Sequence, residues 1–311
     1  MSVVSVREDI RAALSDGRPV VALESSVIAH GLPAPANLQV AHALEEAVLV
    51  AGATPATVGV IGGRVRVGLE PEEIGYLGAA ADVVKCAAAD LGWAIAQGAD
   101  GATTVSATVF AAACAGIDVV ATGGIGGVHR GDTGDVSADL STLAQHPVAV
   151  VAAGAKSILD LPRTLEALET LGVPVVGLGA REFPAFYARS SGLVLDKHAE
   201  RTGDIARLCL IRWRQLEQQG GVLVACPCPE EQALEPSEVE DATARALRDA
   251  AAAGVCGKPL TPWLLASVAK SLGDRAIAAN RALLMNNARV SASIAIALCE
   301  LTSASTSMTS H

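Results

Sequence analysis

Residues 117–140 read IDVVATGGIGGVHRGDTGDVSADL, and the change of character within this stretch decides the predicted fold. Its first six residues form a short run rich in β-branched side chains, as in a strand that is covered on both faces. Glycines then interrupt the chain, and the polar end of the stretch leads into a possible helix. This order predicts a strand, a loop and a helix, with the loop at the strand's carboxyl end, where α/β proteins bind ligands.

The same alternation continues on both sides of this stretch. Strand-like runs lie at 19–23, 56–62, 102–106, 117–122, 147–154, 173–179 and 220–226, with helical patterns between them at 37–51, 106–115, 161–171 and 202–218. Helical patterns at 237–253, 261–272 and 274–301 follow. Alternating strands and helices predict a three-layer α/β/α fold with a mainly parallel central sheet and a helical C-terminal portion. We expect one catalytic domain over 1–302 and, because the last residues are small and polar, a disordered tail at 303–311.

The composition narrows the possible partners. Charged residues make up only 18% of the 311 residues and the net charge is -10, which disfavours nucleic acid because phosphate binding needs clustered Lys and Arg. The N-terminus lacks an apolar signal region, and the longest apolar stretch is broken by Asp118 and glycines, so we expect neither secretion nor a membrane span.

The cysteines fit a cytoplasmic protein. There are seven of them, an odd number scattered through apolar segments, which favours reduced thiols over a disulfide framework. Cys226 and Cys228 have no second pair at ligand spacing, which disfavours a metal site. We expect Cys86, Cys114 and Cys299 to be core residues, because no nucleophile motif surrounds them.

The glycine loop, residues 122–131, fails the common nucleotide motifs. A dinucleotide fingerprint starting at Gly124 has His129 where its last glycine should be, and a phosphate-binding P-loop starting at Gly126 has Asp132 in place of Lys. His129 and Arg130 are still candidate donors to an anion. The sequence therefore supports neither ATP nor NAD, but leaves anion binding open.

Three carboxylates follow this loop, at Asp132, Asp135 and Asp139. Their spacing does not fit a calcium EF-hand loop, and a single carboxylate that holds a hydrated divalent ion fits better. The alternative is that Asp135 or Ser137 only caps the next helix.

Two lysines and a glutamate are the candidate reactive groups. Lys85 lies in an apolar segment, Lys156 follows an apolar strand, and Glu24 ends the first apolar strand. A neutral lysine can attack a carbonyl carbon to form a Schiff base, whereas a lysine at a strand end can equally bind phosphate or pair with an acid. Glu24 is either a proton donor or an acceptor of loop N–H groups. His30 and Asn37 are either ligand contacts or loop stabilisers.

Several motifs in unbroken order together resemble the pseudouridine-5'-phosphate glycosidases, which include relatives from indigoidine gene clusters. They are ALESSVIAHGLPAPAN, GATTVSAT, ATGGIGGVHRG, DVSADL, AGAKSILDLPRTLEALET, GVPVVG, PCPEE, GKPLTPWLL and NRALLMNNA. The resemblance implies an α/β/α homotrimer with one Mn²⁺ per subunit. It also implies reversible cleavage of the C–C glycosidic bond of pseudouridine 5'-phosphate to uracil and ribose 5-phosphate.

The resemblance also implies roles for residues of this chain. Lys156 would be the nucleophile, Glu24 the proton donor and Asp135 the metal ligand. One asparagine of the last helix, Asn280 or Asn287, would assist, and Asn280 is the one assigned to substrate. The other substrate contacts would be Lys85, Val105, Ser137, Ala138 and Asp139.

The implied chemistry explains the residue types. A C–C bond is not broken by protonating a leaving oxygen, so a two-carboxylate glycosidase mechanism is insufficient. Opening the ribose ring, with Glu24 protonating the ring oxygen and Lys156 capturing C1', solves this problem, and Asp139 would move protons or orient the sugar. The alternatives are a Schiff-base aldolase or lyase acting on another phosphosugar, and a non-catalytic phosphosugar-binding protein.

Overall fold

The computed structural model describes residues 3–31, 33–131, 134–257 and 259–308. Its strands are β1 Val4–Val6, β2 Val20–Leu23, β3 Thr54–Ile61, β4 Arg64–Val67, β5 Val84–Cys86, β6 Gly101–Thr103, β7 Val119–Ala121, β8 Ala149–Ala152, β9 Val175–Leu178, β10 His198–Ala199 and β11 Val222–Ala225. Its α-helices are α1 Glu8–Ser15, α2 Ala36–Val50, α3 Pro71–Ala79, α4 Leu91–Ala96, α5 Val105–Ala115, α6 Ala138–Gln145, α7 Leu161–Thr170, α8 Thr202–Leu210, α9 Pro236–Ala252, α10 Leu260–Leu272 and α11 Asp274–Met308.

The strands form one mixed sheet in the order β1-β4-β3-β2-β7-β8-β11-β9-β10, with β6 paired to β3 and β5. All pairs are parallel except β3 with β4 and β3 with β6. The predicted α/β fold with a mainly parallel sheet is confirmed. The single domain predicted for 1–302 stays a prediction.

Burial explains which strands the sequence revealed. Every residue of β2, β7, β8 and β11 is buried, since helices cover both faces of the sheet there. All seven predicted runs overlap a strand, but residues 105 and 106 of the third run, 102–106, belong to α5 instead. The strands that the sequence analysis missed are the short or half-exposed ones, β1, β4, β5 and β10.

The last helix, α11, packs against α2, α8 and β7. By length and composition its segment Asp274–Ala304 is apolar enough to cross a membrane, but 50% of the most apolar window is buried inside the protein. Within the described residues α11 is therefore a core helix of this fold.

Two predictions need correction. Residues 303–308 of the predicted tail continue helix α11, and near this end the hydroxyls of Thr302 and Ser303 donate to the carbonyls of Leu298 and Cys299, four residues earlier. Residues 309–311 lie outside the described residues. Cys86 is buried as predicted, but Cys114 is exposed and Cys299 is half-buried, since helix position rather than the apolar neighbourhood sets their orientation.

The sheet order brings the candidate residues together. Strands β2, β7 and β8 are parallel neighbours, so their carboxyl ends lie at the same edge. Glu24 follows β2, the glycine loop follows β7, and the lysine loop, residues 153–160, follows β8. The candidate site is built at this edge.

Candidate active site

Glu24 is held between the first two of these loops. Its side chain is buried, and its two carboxylate oxygens accept hydrogen bonds from the hydroxyls of Ser26 and Thr122. A small pocket lies beside it, with the apolar side chains of Leu23, Val27, Leu44, Ala121 and Leu284 completing the wall. Glu24 is therefore a fixed acid or base beside a small apolar space.

A buried hydroxyl network fixes the backbone next to Glu24. The Ser25 hydroxyl oxygen accepts the N–H of Thr103 at 2.9 Å, and the Thr103 hydroxyl donates to the carbonyl of Val58 at 2.8 Å. Thr108 donates its hydroxyl to that of Thr103 at 3.0 Å. The loop after β2 is thus tied to β6 and β3, which limits how far Glu24 can move.

The lysine loop is held against the glycine loop through the backbone. Lys156 donates its N–H to the carbonyl of Ile125 at 3.1 Å, and Ile125 donates its own N–H to Gly154 at 3.1 Å. Asp160 donates to Val128 at 2.9 Å. The backbone of Lys156 is therefore fixed, while its side chain is partly exposed.

His129, in the glycine loop, lies close to the candidate metal ligand Asp135. Its buried ring has Nε2 3.1 Å from the Thr261 hydroxyl and 3.8 Å from a carboxylate oxygen of Asp135. Burial lowers the pKa of His129, the Asp135 carboxylate opposes this, and the ammonium groups of Lys156 and Lys85 lower the pKa further. Two lysines that are far apart in sequence thus act on the same imidazole.

Lys85 also acts on a second histidine. The pKa of His30 is lowered first by burial and then by the charge of Lys85. The charge of Lys85 therefore lowers the pKa of both His30 and His129. Asn37, by contrast, donates to the carbonyls of Ile28 and Gly78 at 2.9 Å each, which makes it a loop stabiliser.

Asp139 has a structural task. It is buried, and its two oxygens accept the backbone N–H of Ser106 at 2.8 Å and of Gly126 at 2.7 Å. Ser137 caps α6 by accepting the N–H of Asp139 at 3.2 Å, as the capping alternative predicted. Contact of 137–139 with substrate stays a prediction, but the Asp139 carboxylate is already occupied by backbone donors.

Val105 begins α5, and its side chain is buried. A contact with substrate would therefore use its backbone, since the first N–H groups of a helix lack an intrahelical acceptor.

The glycines of the glycine loop allow close packing. A Cβ added to Gly124 would lie 2.6 Å from the ring of Phe186, one added to Gly126 would lie 2.6 Å from the Ser137 Cβ, and one added to Gly127 would lie 2.7 Å from a methyl of Thr164. The N–H groups of Ile125, Gly126, Val128 and His129 all donate to protein acceptors. These four N–H groups therefore do not form an anion cradle.

The prediction that Arg130 is available to an anion is wrong, because its guanidinium already binds other parts of the protein. Its guanidinium donates to the carbonyls of Ser157 and Leu159 and to both oxygens of Glu240. Glu240 is 110 residues away, so no local pattern could indicate this partner.

Asp135 is the candidate metal ligand, and its side chain is 39% exposed. No group of three His, Cys, Asp or Glu side chains suited to a metal occurs in the part of the chain that the structure describes, and Asp132 lies outside that part. The donor at this site is one accessible carboxylate. It suits a hydrated divalent ion that also binds a substrate phosphate, and it does not suit an ion held only by protein ligands.

Asn287 reaches the glycine loop. It is fully buried, and its amide donates to the carbonyl of Thr122 at 2.8 Å. Its Oδ1 has no hydrogen-bond partner among the described residues. Asn280, the assigned asparagine, is half-buried and forms no such bond in the described part of α11.

Sequence reasoning missed Thr122, Thr261 and Glu240. Thr122 had a signal, because it directly follows a buried strand at the edge where ligands bind. Thr261 lies inside GKPLTPWLL, one of the motifs that carry the resemblance. Glu240 has no local signal.

Known proteins match this chain along nearly its whole length. Residues 9–297 match the family model described as Indigoidine synthase A like protein. The pseudouridine-5'-phosphate glycosidase of Caldanaerobacter subterraneus subsp. tengcongensis is 49% identical over 96% of this chain and 97% of its own length. That of Rhodospirillum centenum is 55% identical over 96% of this chain and 93% of its own length.

Two solved structures share the fold. The prealnumycin C-glycosynthase AlnA in complex with ribulose 5-phosphate has a TM-score of 0.90 and 38% identity, covering 98% of this chain and 99% of its own. An indigoidine synthase A-like protein from Thermotoga maritima has a TM-score of 0.86 and 32% identity, covering 95% and 96%. With these matches along nearly its whole length, the chain belongs to the Indigoidine synthase A-like family.

Proposed function

We propose that this protein is an enzyme that reversibly cleaves the C–C glycosidic bond of pseudouridine 5'-phosphate, yielding uracil and ribose 5-phosphate. The observation that carries the proposal is that Glu24 and the lysine loop follow the carboxyl ends of β2 and β8, at the same edge of the sheet. The chain is also about half identical to pseudouridine-5'-phosphate glycosidases. The apolar pocket beside Glu24 is consistent with a site that keeps water away from a proton donor.

Lys156 and Glu24 divide the chemistry. The neutral amine of Lys156 attacks C1', the C1'–ring-oxygen bond breaks, and the ring oxygen takes the proton of Glu24. The amine nitrogen then forms a double bond to C1' as the bond to uracil breaks. The electron pair of that bond goes to C5 of uracil, which takes up a proton, and water hydrolyses the imine to release ribose 5-phosphate.

The phosphosugar is bound by the remaining predicted residues. Lys85 supplies positive charge, which is consistent with its effect on two histidines. The first turn of α5 at Val105 and the segment 137–139 supply backbone groups. Asp139 orders this wall rather than moving protons, because its oxygens already bind two backbone N–H groups.

Asp135 would hold the Mn²⁺ ion as its one protein carboxylate, with water and substrate phosphate as further ligands. The bound ion would neutralise phosphate charge. We further propose a homotrimer that acts in the cytoplasm, consistent with the free cysteines of the chain.

A second candidate is carbon–carbon bond chemistry on another phosphosugar. The likeness to AlnA, whose structure contains ribulose 5-phosphate, favours this alternative. It would use the same lysine without a requirement for uracil.

A uracil-release assay tests the proposal. Wild-type protein should release uracil from pseudouridine 5'-phosphate, more rapidly with Mn²⁺, and Lys156→Ala should abolish release. Borohydride trapping with ribose 5-phosphate should add the sugar mass to the peptide that contains Lys156. An adduct without uracil turnover would favour the second candidate, and a missing adduct or an adduct on another lysine would refute the nucleophile assignment.

A further inference from the structure

All three guanidinium nitrogens of Arg130 donate hydrogen bonds within the protein. Nε donates to the carbonyl of Leu159 at 3.1 Å, and one terminal nitrogen donates to the carbonyl of Ser157 at 3.1 Å. Both carbonyls belong to the lysine loop, within three residues of Lys156. A planar group with five donors can bind both acceptors at once, which a lysine ammonium on a flexible chain does not reproduce.

Glu240 fixes the orientation of that guanidinium. The carboxylate, on α9, accepts two hydrogen bonds from Arg130, at 2.5 and 2.8 Å. These bonds hold the pKa of Glu240 below its ordinary value. Arg130 therefore connects three parts of the chain: the glycine loop, the lysine loop and α9.

The other side of the lysine loop is already fixed. Lys156 donates its N–H to Ile125, and Asp160 donates to Val128, both in the glycine loop. Backbone bonds thus hold the loop at both ends, and the bonds from Arg130 reach the carbonyls between them. Without Arg130, the turn that carries Lys156 loses its side-chain support.

We propose that Arg130, oriented by Glu240, is a positioning residue that holds the lysine loop so that the Lys156 amine meets the reacting carbon. The inference rests on the proposed function, because it assigns Lys156 as the nucleophile. It also gives a role to Glu240 on α9, a residue that is not among those proposed to contact substrate.

The expected effects on folding stability and on reaction rate distinguish a positioning role of Arg130 from simple stabilisation of the fold. The Glu240 side chain is 57% exposed, and ion pairs at such surfaces contribute little to folding stability. A reacting group displaced by about 1 Å, by contrast, can slow a reaction about a hundredfold. Loss of the pair should therefore change turnover much more than thermal stability.

The chain offers a matched control on the same helix. Glu238, also on α9, accepts two hydrogen bonds from Arg275 at 3.2 and 2.7 Å. That pair resembles Arg130–Glu240 in geometry but does not contact the lysine loop. The variants to compare are Arg130→Lys and Glu240→Gln with Arg275→Lys and Glu238→Gln.

In steady-state assays of uracil release, Arg130→Lys should lower kcat by about 10- to 100-fold and should change KM by less than about threefold. The kcat of Glu240→Gln should fall less than that of Arg130→Lys, since Arg130 keeps its hydrogen bonds to the carbonyls of the lysine loop. The control pair should keep the wild-type kcat, and Tm should stay similar across all four variants. A kcat for Arg130→Lys within threefold of wild type, or an equal fall in the control pair, would overturn the inference.

Amide hydrogen exchange gives a readout that does not depend on the proposed reaction. Arg130→Lys should speed exchange at Lys156 and Asp160, while Arg275→Lys should not. If wild-type protein releases no uracil, the proposed function fails and exchange alone decides whether Arg130 holds the loop. Unchanged exchange at these amides in Arg130→Lys would overturn the inference.

Discussion

Asp139, a residue with a predicted chemical role, also has a structural role. Both of its oxygens accept buried backbone N–H groups, one at the start of α5 and one in the glycine loop. Substrate chemistry at this carboxylate would have to break one of these bonds. At the residue scale, the Asp139 carboxylate holds the start of α5 and the glycine loop together.

Asp139→Asn should lower the free energy of unfolding by about 1–3 kcal/mol, because an amide replaces one of two acceptors and leaves a buried N–H unpaired. Urea unfolding measures the change. The control is Asp160→Asn, where the side chain accepts one N–H, of Arg163, at the start of α7. Asn caps helices as well as Asp, so the control should stay within about 0.5 kcal/mol of wild type. Equal stability of the two variants, with activity lost only in Asp139→Asn, would instead favour a direct role on substrate.

At the scale of elements, helix α11 contributes to the site through Asn287. Asn287 binds the carbonyl of Thr122, and the Thr122 hydroxyl binds Glu24. Two turns earlier on the same helix, Asn280 is only half-buried. The helix thus supports the proton donor indirectly, through the residue that follows β7.

Asn287→Ala should reduce kcat of uracil release about tenfold and lower stability by about 1–3 kcal/mol, because the Thr122 carbonyl loses its buried donor. Asn280→Ala should change stability by less than about 0.5 kcal/mol and leave kcat near wild type. Kinetics and urea unfolding of both variants test this. A larger loss of activity in Asn280→Ala than in Asn287→Ala would restore the assignment made from the sequence.

The sequence predicted the elements that build the site better than the contacts between them. The buried runs that contain β2, β7 and β8 were identified because helices cover both faces of these strands. Strand β4 was missed, since its alternating Arg and Val residues give only one buried face and occur at only four positions. The helical end of α11 was missed because serine and threonine are weak helix formers, so a segment rich in them carries little helix signal.

At the scale of the whole molecule, buried thiols make stability depend on alkaline pH. Burial raises the pKa of Cys209 to about 12 and that of Cys226 to about 11. In the unfolded chain these thiols ionise near pH 9, so above that pH the unfolded state binds fewer protons than the folded state. The stability is fully present below about pH 9 and is lost as pH rises towards 11.

The free energy of unfolding should therefore fall between pH 9 and 10, by at most about 1.4 kcal/mol for each such thiol. Urea unfolding at pH 7, 9 and 10, with a reductant present, measures this slope. Cys209→Ala should make the slope shallower, whatever its effect on stability at pH 7. A free energy that stays constant or rises from pH 9 to 10 would contradict the prediction.

The sequence by itself determined the α/β class and the position of Glu24 and Lys156 after strands, because hydrophobicity and its periodicity are local properties that each segment carries. Only the tertiary structure decided that Arg130 binds Glu240, that the Asp139 oxygens are occupied by backbone donors, and that Asn287 reaches the glycine loop. These contacts join segments 13 to 165 residues apart. The order of strands in the sheet sets such distances, and no local pattern of residues specifies that order.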